Sequence, residues 1–497
     1  MNREDLFEAI GEIDGRSVRR AEKFRASGKP AWIRWAALAA CIALLVGAFA
    51  VVPRLKKGGS AEETAVGENE VLSNESEEND AGSYDPELVA VLAKYPASVG
   101  KKMSPEDFME SGEYYGWRSA YREKKTASAF LQEDLNGYYA AIMEKLLVSD
   151  EENTVCSPLN TYIAFAMLAE VTGGNTRQQI LDMLGAPDIE TLRKNTSVLW
   201  EGNYAETPLL TSVLADSLWL RDGIQYNEET LNTLAEQYYA SSFHGKPGSG
   251  KMDEALQTWT DENTGGLLSE YVKDMHLDPN TVLAVVSTIY YKAGWEGSFD
   301  SIGKETFHGV RGDTQVDMMH RIESMEYYSG DAFTAVGLPL SDSGTMYFCL
   351  PAEGTDVNAL ATDPELLRTL RHGSGGWTRT NVRLSAPKFR ASAKTDLLET
   401  MSALGVTDAL DPLVSDFTPL TEQTDQICIS QAEHAAMVEI DQDGVKGAAY
   451  TMVMEVEAAV EEEPEEPVEF TVDRPFLFVI TGADGSILFS GAVRNIE

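Results

Sequence analysis

Apolar residues fall along this chain in several distinct rhythms, and each predicts a different element. Residues 35–52, "WAALAACIALLVGAFAVV", run for eighteen positions without a charge, the length of a helix crossing about 30 Å of hydrocarbon. "FLQEDLNGYYAAIMEKLL" at 130–147 repeats its apolar positions with a helical period. A second helix is predicted after "SPLN" and through "TYIAFAMLAEV", with Ser157 and Pro158 as its start residues. "TVLAVVSTIYY" at 281–291 is continuous and β-branched, the pattern of a strand buried on both faces. "FLFVITGADGSILFSGAV" at 476–493 predicts a hairpin turning at Asp484-Gly485. A helix is expected over 86–94. Helices dominate early and strands late, without a βαβ rhythm or an internal repeat, so the class is α+β.

Charge divides the chain further. Residues 1–34 form a basic leader, 35–52 a transmembrane signal-anchor and 53–83 an acidic linker. Residues 84–126 are a short segment with no assigned role, and 127–497 the globular domain. Trp32 and Trp35 flank one end of the span, and Arg54, Lys56 and Lys57 close the other. Eight Lys and Arg residues precede Trp35, so the N-terminus is expected in the cytoplasm and the domain outside, on a single-pass anchor. "AFA" at 48–50 leaves open signal cleavage and secretion, and "LAAC" at 38–41 a lipoprotein site. The formal charge of −40 argues against nucleic acid as a partner. Four cysteines without CxxC spacing suggest neither a disulfide framework nor a zinc site.

Catalytic motifs are nearly absent. "GKPGSGKM" at 245–252 ends in Met252 where a phosphate-binding loop needs Ser or Thr. The six histidines make no HExxH, and "GSGG" at 373–376 is no nucleophile elbow. No metal and no cofactor is expected. A Ser-His-Asp set assembled from distant residues stays open, and with it an exported hydrolase.

Residues 444–472 join two incompatible chemistries. Gly444 to Val460 is small and β-branched, fit for a buried strand, whereas Glu461 to Glu466 is acid and proline and belongs in solvent. A resemblance resolves the conflict. "NTVCSPLNTYIAFAMLAEVTGGNTRQQILDMLG" (153–185), "WTDENTGGLLSEYV" (259–272), "TVLAVVSTIYYKAGWEGSFD" (281–300) and "DMMHR" (317–321) occur in order with "APKF" (386–389), "LGVTDA" (404–409), "ISQAEHAAMVEID" (429–441) and "DRPFLFVI" (473–480). Together these segments resemble the serpins, here of bacterial type with an N-terminal anchor. The resemblance implies helices, three β-sheets and an exposed reactive-centre loop. It also implies a protease inhibitor with no catalytic residues of its own, expected as a monomer. After cleavage the loop inserts into the central sheet, an established case of strand addition.

The resemblance assigns the hinge to Gly444, Val445, Lys446, Gly447, Ala448, Ala449, Tyr450 and Thr451. With Val445 inward, the core-facing set is Val445, Gly447, Ala449, Thr451 and Val453, all small or β-branched. Family spacing puts the reactive bond at Ala458-Ala459, with Met454 and Val460 as alternatives. Small residues there favour an elastase-like or subtilisin-like serine protease, with papain-like cysteine proteases as a further class. The family's central-sheet switch maps to Ser157, Asn160, Ser287, Trp295 and His434, with Asn160 and Ser287 exchanged relative to the usual Ser and Asn. Val445, Lys446 and Tyr450 depart from the inhibitory hinge pattern, which keeps a non-inhibitory serpin, a binding or sensing module, as the main alternative.

Overall fold

Two sheets organise the described residues, 85–370, 375–423, 427–445 and 466–496, which all belong to one unit, Glu77–Glu497, of this computed structural model. The first sheet runs β1 (Val89–Val91), β5 (Ala240–Gly245), β4 (Leu210–Arg221), β6 (Leu283–Gly294), β14 (Gly444–Val445), β13 (Glu433–Asp441) and β12 (Phe389–Asp396), with β3 (Ala205–Glu206) on β4. The second runs β15 (Val468–Thr471), β11 (Trp377–Pro387), β8 (Gly312–Ser329), β9 (Phe333–Pro339), β10 (Thr345–Pro351), β16 (Phe476–Thr481), β17 (Ile487–Val493) and β2 (Thr154–Cys156), with β7 (Ser301–Gly309) on β8. The expected three sheets are therefore two among the described residues. The reason is β8, whose 18 residues pair with β7 along one stretch and with β9 beyond it, fusing what shorter strands would separate.

Helices α1 (Pro105–Glu110), α2 (Gly112–Ala129), α3 (Gln132–Leu147), α4 (Pro158–Val171), α5 (Gly174–Leu184) and α6 (Ile189–Asn203) come early in the chain, as the pattern predicts. Every residue of α4 except Ala164 is buried. With apolar residues on every side and only Asn160, Thr161 and Glu170 polar, the helix has no solvent face, and it packs between β6 of one sheet and β17 of the other. A smaller core lies beyond α4's sheet, where Trp219 and Phe243 stack and meet Trp259. The C-terminal hairpin turns through Asp484-Gly485 with Gly485 at φ +89°.

Two expectations need correction. No helix forms over 86–94: Pro86–Leu88 is a single 3-10 turn, and Val89–Val91 is a strand on the open edge of β5. The β-branched Val89 and Val91 win there because pairing satisfies backbone groups that an isolated short helix leaves to water. The strand at 281–291 is only half-buried from Leu283 to Ser287, for a reason given below. Ser157 and Pro158 do start α4, as its N-cap and first residue, although the Ser157 hydroxyl makes no capping bond.

Residue 127 falls inside α2, and residues 85–126 pack onto the domain. Phe108 is fully buried, Tyr121 is 5% exposed, and Val99 N–H donates to Glu206 O at 3.0 Å. Residues 1–84 lie outside the described residues, as does the proposed span at 35–52. Among those described, no helix is long and apolar enough to cross a membrane. A chain beginning at residue 127 is expected to melt at least about 5 °C below one beginning at 85, because it loses large buried side chains and cuts a helix. Calorimetry of the two checks this, and equal midpoints would refute it.

Candidate functional site: the cleft between two central strands

β6 and β13 never pair with each other. β6 pairs along Leu283–Ala293 with β4, and β13 along Glu433–Ile440 with β12. Their facing edges meet only β14, through Gly444↔Gly294, Val445↔Ala293, Val445↔Ile440 and Gly444↔Asp441. Beyond that point the two edges have no strand partner among the described residues, which is why β6 is half-buried. Cavities of 90 Å³ and 30 Å³ open between them, both lined by the two strands, the larger also by α4 and the smaller by Ser157 and the turn at 264–268.

The sequence builds β14 locally. A two-residue turn, Gln442–Asp443, joins it to β13. Asp441 Oδ1 accepts from Asp443 N–H at 2.8 Å and Gly444 N–H at 3.2 Å, an Asx turn. Gly444 sits at φ +155°, and a Cβ there would strike Ala293 O and stand 2.9 Å from Gly294 Cα. Only glycine admits the third strand at this distance. Val445 then enters the main core at 2% exposure. Val445, which the resemblance makes part of the loop hinge, is already a strand residue in the folded protein. Lys446, Gly447, Ala448, Ala449, Tyr450, Thr451, Met454, Ala458, Ala459 and Val460 lie outside the described residues.

The remaining sequence-derived positions meet around the cleft. Asn160 Nδ2 donates to Ser287 O at 3.0 Å, and the Ser287 hydroxyl donates to Asn160 Oδ1. His434 Nε2 accepts the Ser157 N–H at 3.0 Å. Trp295 Nε1 donates to Asp441 O at 2.9 Å, across the head of the cleft where β14 sits. The first turn of α4 thus holds both lips: Asn160 grips β6, and Ser157 grips β13. His434 is the acceptor for an N–H that a helix start leaves without an internal partner. Burial lowers its pKa to about 4, which keeps Nε2 free to accept.

Sequence reading missed Asp216, whose signal was an acid inside the apolar run "LADSLWL". Asp216 is the register partner of Ser287 and fully buried. The Ser287 hydroxyl commits its proton to Asn160, so neither Asp216 oxygen has a hydrogen-bond partner among the described residues. Burial pushes its pKa up to about 7, against a smaller downward pull from Ser287.

The family model for the serpins, serine protease inhibitors, matches residues 136–496. The chain belongs to the serpin family. An uncharacterised serpin-like protein of Thermococcus kodakarensis is 28% identical over 375 residues, covering 71% of this serpin and 82% of that protein. The plasma serine protease inhibitor of Mus musculus is 28% identical over 369 residues, covering 72% and 89%. In structure, this serpin is similar to the thermophilic serpin tengpin in its native state, with a TM-score of 0.65 and 22% identity over 73% of this chain and 93% of that one. Serpins are in general protease inhibitors and not enzymes, and serine proteases are the kind of partner they target.

The two buried groups give opposite pH dependences. Asp216 is protonated in the fold where an unfolded carboxyl has ionised, so its stabilising contribution is complete below about pH 4 and declines as pH rises to about 7. His434 is neutral in the fold where an unfolded imidazole is charged, so its contribution is lost as pH falls from about 6.5 through about 4. Asp216→Asn is expected to stabilise the protein by about 3 kcal/mol at pH 7 and hardly at pH 4. Melting curves across that range check this; a variant no more stable at pH 7 than at pH 4, relative to wild type, contradicts it.

Proposed function

We propose that this serpin is a suicide inhibitor of elastase-like or subtilisin-like serine proteases, and of papain-like cysteine proteases as a further class. It acts outside the cytoplasmic membrane, tethered by residues 35–52. The observation that carries the reading is Val445, buried and paired on both sides at the head of the cleft between β6 and β13. A strand nucleus is already formed there, so insertion needs only extension.

The target's nucleophile adds to the Ala458 carbonyl, the Ala459 amine leaves with the proton that the target's base took up, and a serine protease is held as an acyl ester, a cysteine protease as a thioester. The severed loop is then free to lengthen β14 along residues 283–292 of β6 and 433–439 of β13, the edges left without strand partners among those described. About ten new backbone hydrogen bonds at ~1 kcal/mol each supply on the order of 10 kcal/mol, comparable to the stability of a whole domain. The intact form is then kept by a barrier rather than by equilibrium, and insertion drags the acylated protease away before water resolves the ester.

The hydrolase alternative has a specific candidate. Ser385 Oγ lies 3.0 Å from His320 Nδ1, and His320 Nε2 lies 3.1 Å from Glu305 Oε1. Its surroundings argue against catalysis. Ser385 is mid-strand in β11, between His320 of β8 and Thr471 of β15, and is 9% exposed. A ladder residue offers no pair of free N–H groups to hold an oxyanion. Ester turnover by the protein is expected to be no faster than by Ser385→Ala, and a loss of turnover in that variant would revive the hydrolase.

The decisive experiment incubates the full-length chain with pancreatic elastase and resolves the products on a denaturing gel. A covalent adduct is expected, with cleavage at or within two residues of Ala458, and nicked inhibitor should melt well above the intact protein. Clean cleavage with neither adduct nor stabilisation would instead identify a non-inhibitory binding or sensing serpin.

A further inference from the structure

The insertion point is held by residues that precede the family-matched region. The C-terminal end of β6, which pairs with Gly444 and Val445, is locked to the turn at 340–344. Trp295 bridges to Leu340, Ser341 N–H donates to Gly294 O at 2.9 Å and Glu296 N–H to Pro339 O at 2.9 Å. The hydroxyls of Tyr291 and Ser343 meet at 2.7 Å. Gly294, the backbone partner of Gly444, is therefore positioned by this turn.

At the apex of the turn stands Asp342, in the left-handed region at φ +52°, a conformation that costs a non-glycine residue energy unless its surroundings impose it. Its carboxylate, 11% exposed, is gripped from α2. Tyr114 donates its hydroxyl to Oδ2 at 3.1 Å and Oδ1 at 3.3 Å, and Arg118 Nε lies 3.2 Å from Oδ1. Tyr114 and Arg118 are four residues apart, so one helix face presents both, and the Arg118 guanidinium also lies over the Tyr114 ring.

The helix is itself anchored at the same side of the cleft. Ser128 fills the space beside Gly202 of α6, where a Cβ would collide with it. Lys124 lies 3.7 Å from Glu201, and Lys101 is 3.8 Å from Glu206 of β3. Trp117 stacks on buried Tyr121 with ring centroids 5.1 Å apart. The contacts of Ser128, Lys124 and Lys101 bind this segment to α6 and β3.

We propose that Tyr114 and Arg118 are positioning residues for strand insertion, acting through Asp342 to hold the end of β6 in register with Gly444 and Val445. The role follows from the nucleus. The two described residues of β14 have few bonds to fix them, so their position depends on how firmly both neighbouring edges are held. A loosened turn lets Gly294 drift, and the severed loop then loses time finding register while water attacks the acyl ester. The proposal rests on the inhibitory reading for its consequence, but not for its geometry.

The test compares the full-length chain with Tyr114→Phe, the double variant Tyr114→Phe/Arg118→Ala, and Arg122→Ala, an exposed position on the same helix. Two readouts are taken: the number of inhibitor molecules cleaved per elastase trapped, and deuterium exchange at residues 290–296 and 441–445. The double variant should consume three- to tenfold more inhibitor per protease trapped, with loop cleavage itself unslowed, and exchange at least threefold faster at both segments. Tyr114→Phe, which removes one hydroxyl, should give a smaller effect in the same direction, and Arg122→Ala none. A uniform rise in exchange across the domain, including 476–493, would mark general destabilisation and overturn the proposal, as would unchanged exchange at 441–445. If wild type traps no protease, the inhibitory reading fails, and the exchange readout alone decides whether these residues hold the insertion point.

Discussion

The double-sided pairing of Gly444 and Val445 is the constraint on which the central sheet depends. Two residues of strand contribute few hydrogen bonds of their own, and fixing their backbones costs about as much as those bonds return. They stay because three local features converge. The Asx turn at Asp441 sends the chain back at once, glycine allows contact with the β6 backbone, and Trp295 bonds to Asp441 O so that both flanking strands stop at a fixed separation. Once the two strands are spaced by a third at one end, they cannot pair directly below it.

The cost of that spacing falls on the lips of the cleft, and α4 absorbs it. Its first turn reaches Ser287 on one side through Asn160 and His434 on the other through the Ser157 N–H. The exchange of Asn and Ser between α4 and β6, relative to the usual serpin arrangement, preserves this contact because a hydroxyl and an amide each carry a donor and an acceptor. Asp216 is the discordant member. A buried carboxyl with no hydrogen-bond partner among the described residues is favoured in its neutral form, so the centre of the sheet carries a proton whose affinity lies near physiological pH. A fully satisfied network would resist repacking more than this one does.

Residues 85–129 extend the same logic outward. β1 adds an edge strand beside β5, α2 lies along α6, and Asp342 connects that assembly to the end of β6. One half of the central sheet is thereby tied into a single body through the backbone turn at 340–344, while β13 and β12 form the other lip.

What the sequence determined by itself was everything carried by local pattern. The largely apolar run of α4 leaves no face for solvent and sends the helix inside, Asp484-Gly485 closes the final hairpin, and "IDQDG" encodes the turn into β14. Eight collinear motifs were enough to recognise the family and so to gather Asn160, Ser287, Trp295 and His434 into one neighbourhood. Local pattern misread Val89–Val91 as helix, because a short β-branched run is decided by whether a sheet edge awaits it, and β5 lies more than a hundred residues away. It likewise missed Asp216, whose burial depends on β6, and Asp342, whose partners come from α2. Val445 reads as loop or strand with equal ease in sequence. Only the tertiary structure, by holding two strand edges one strand apart, decided that it is already inside.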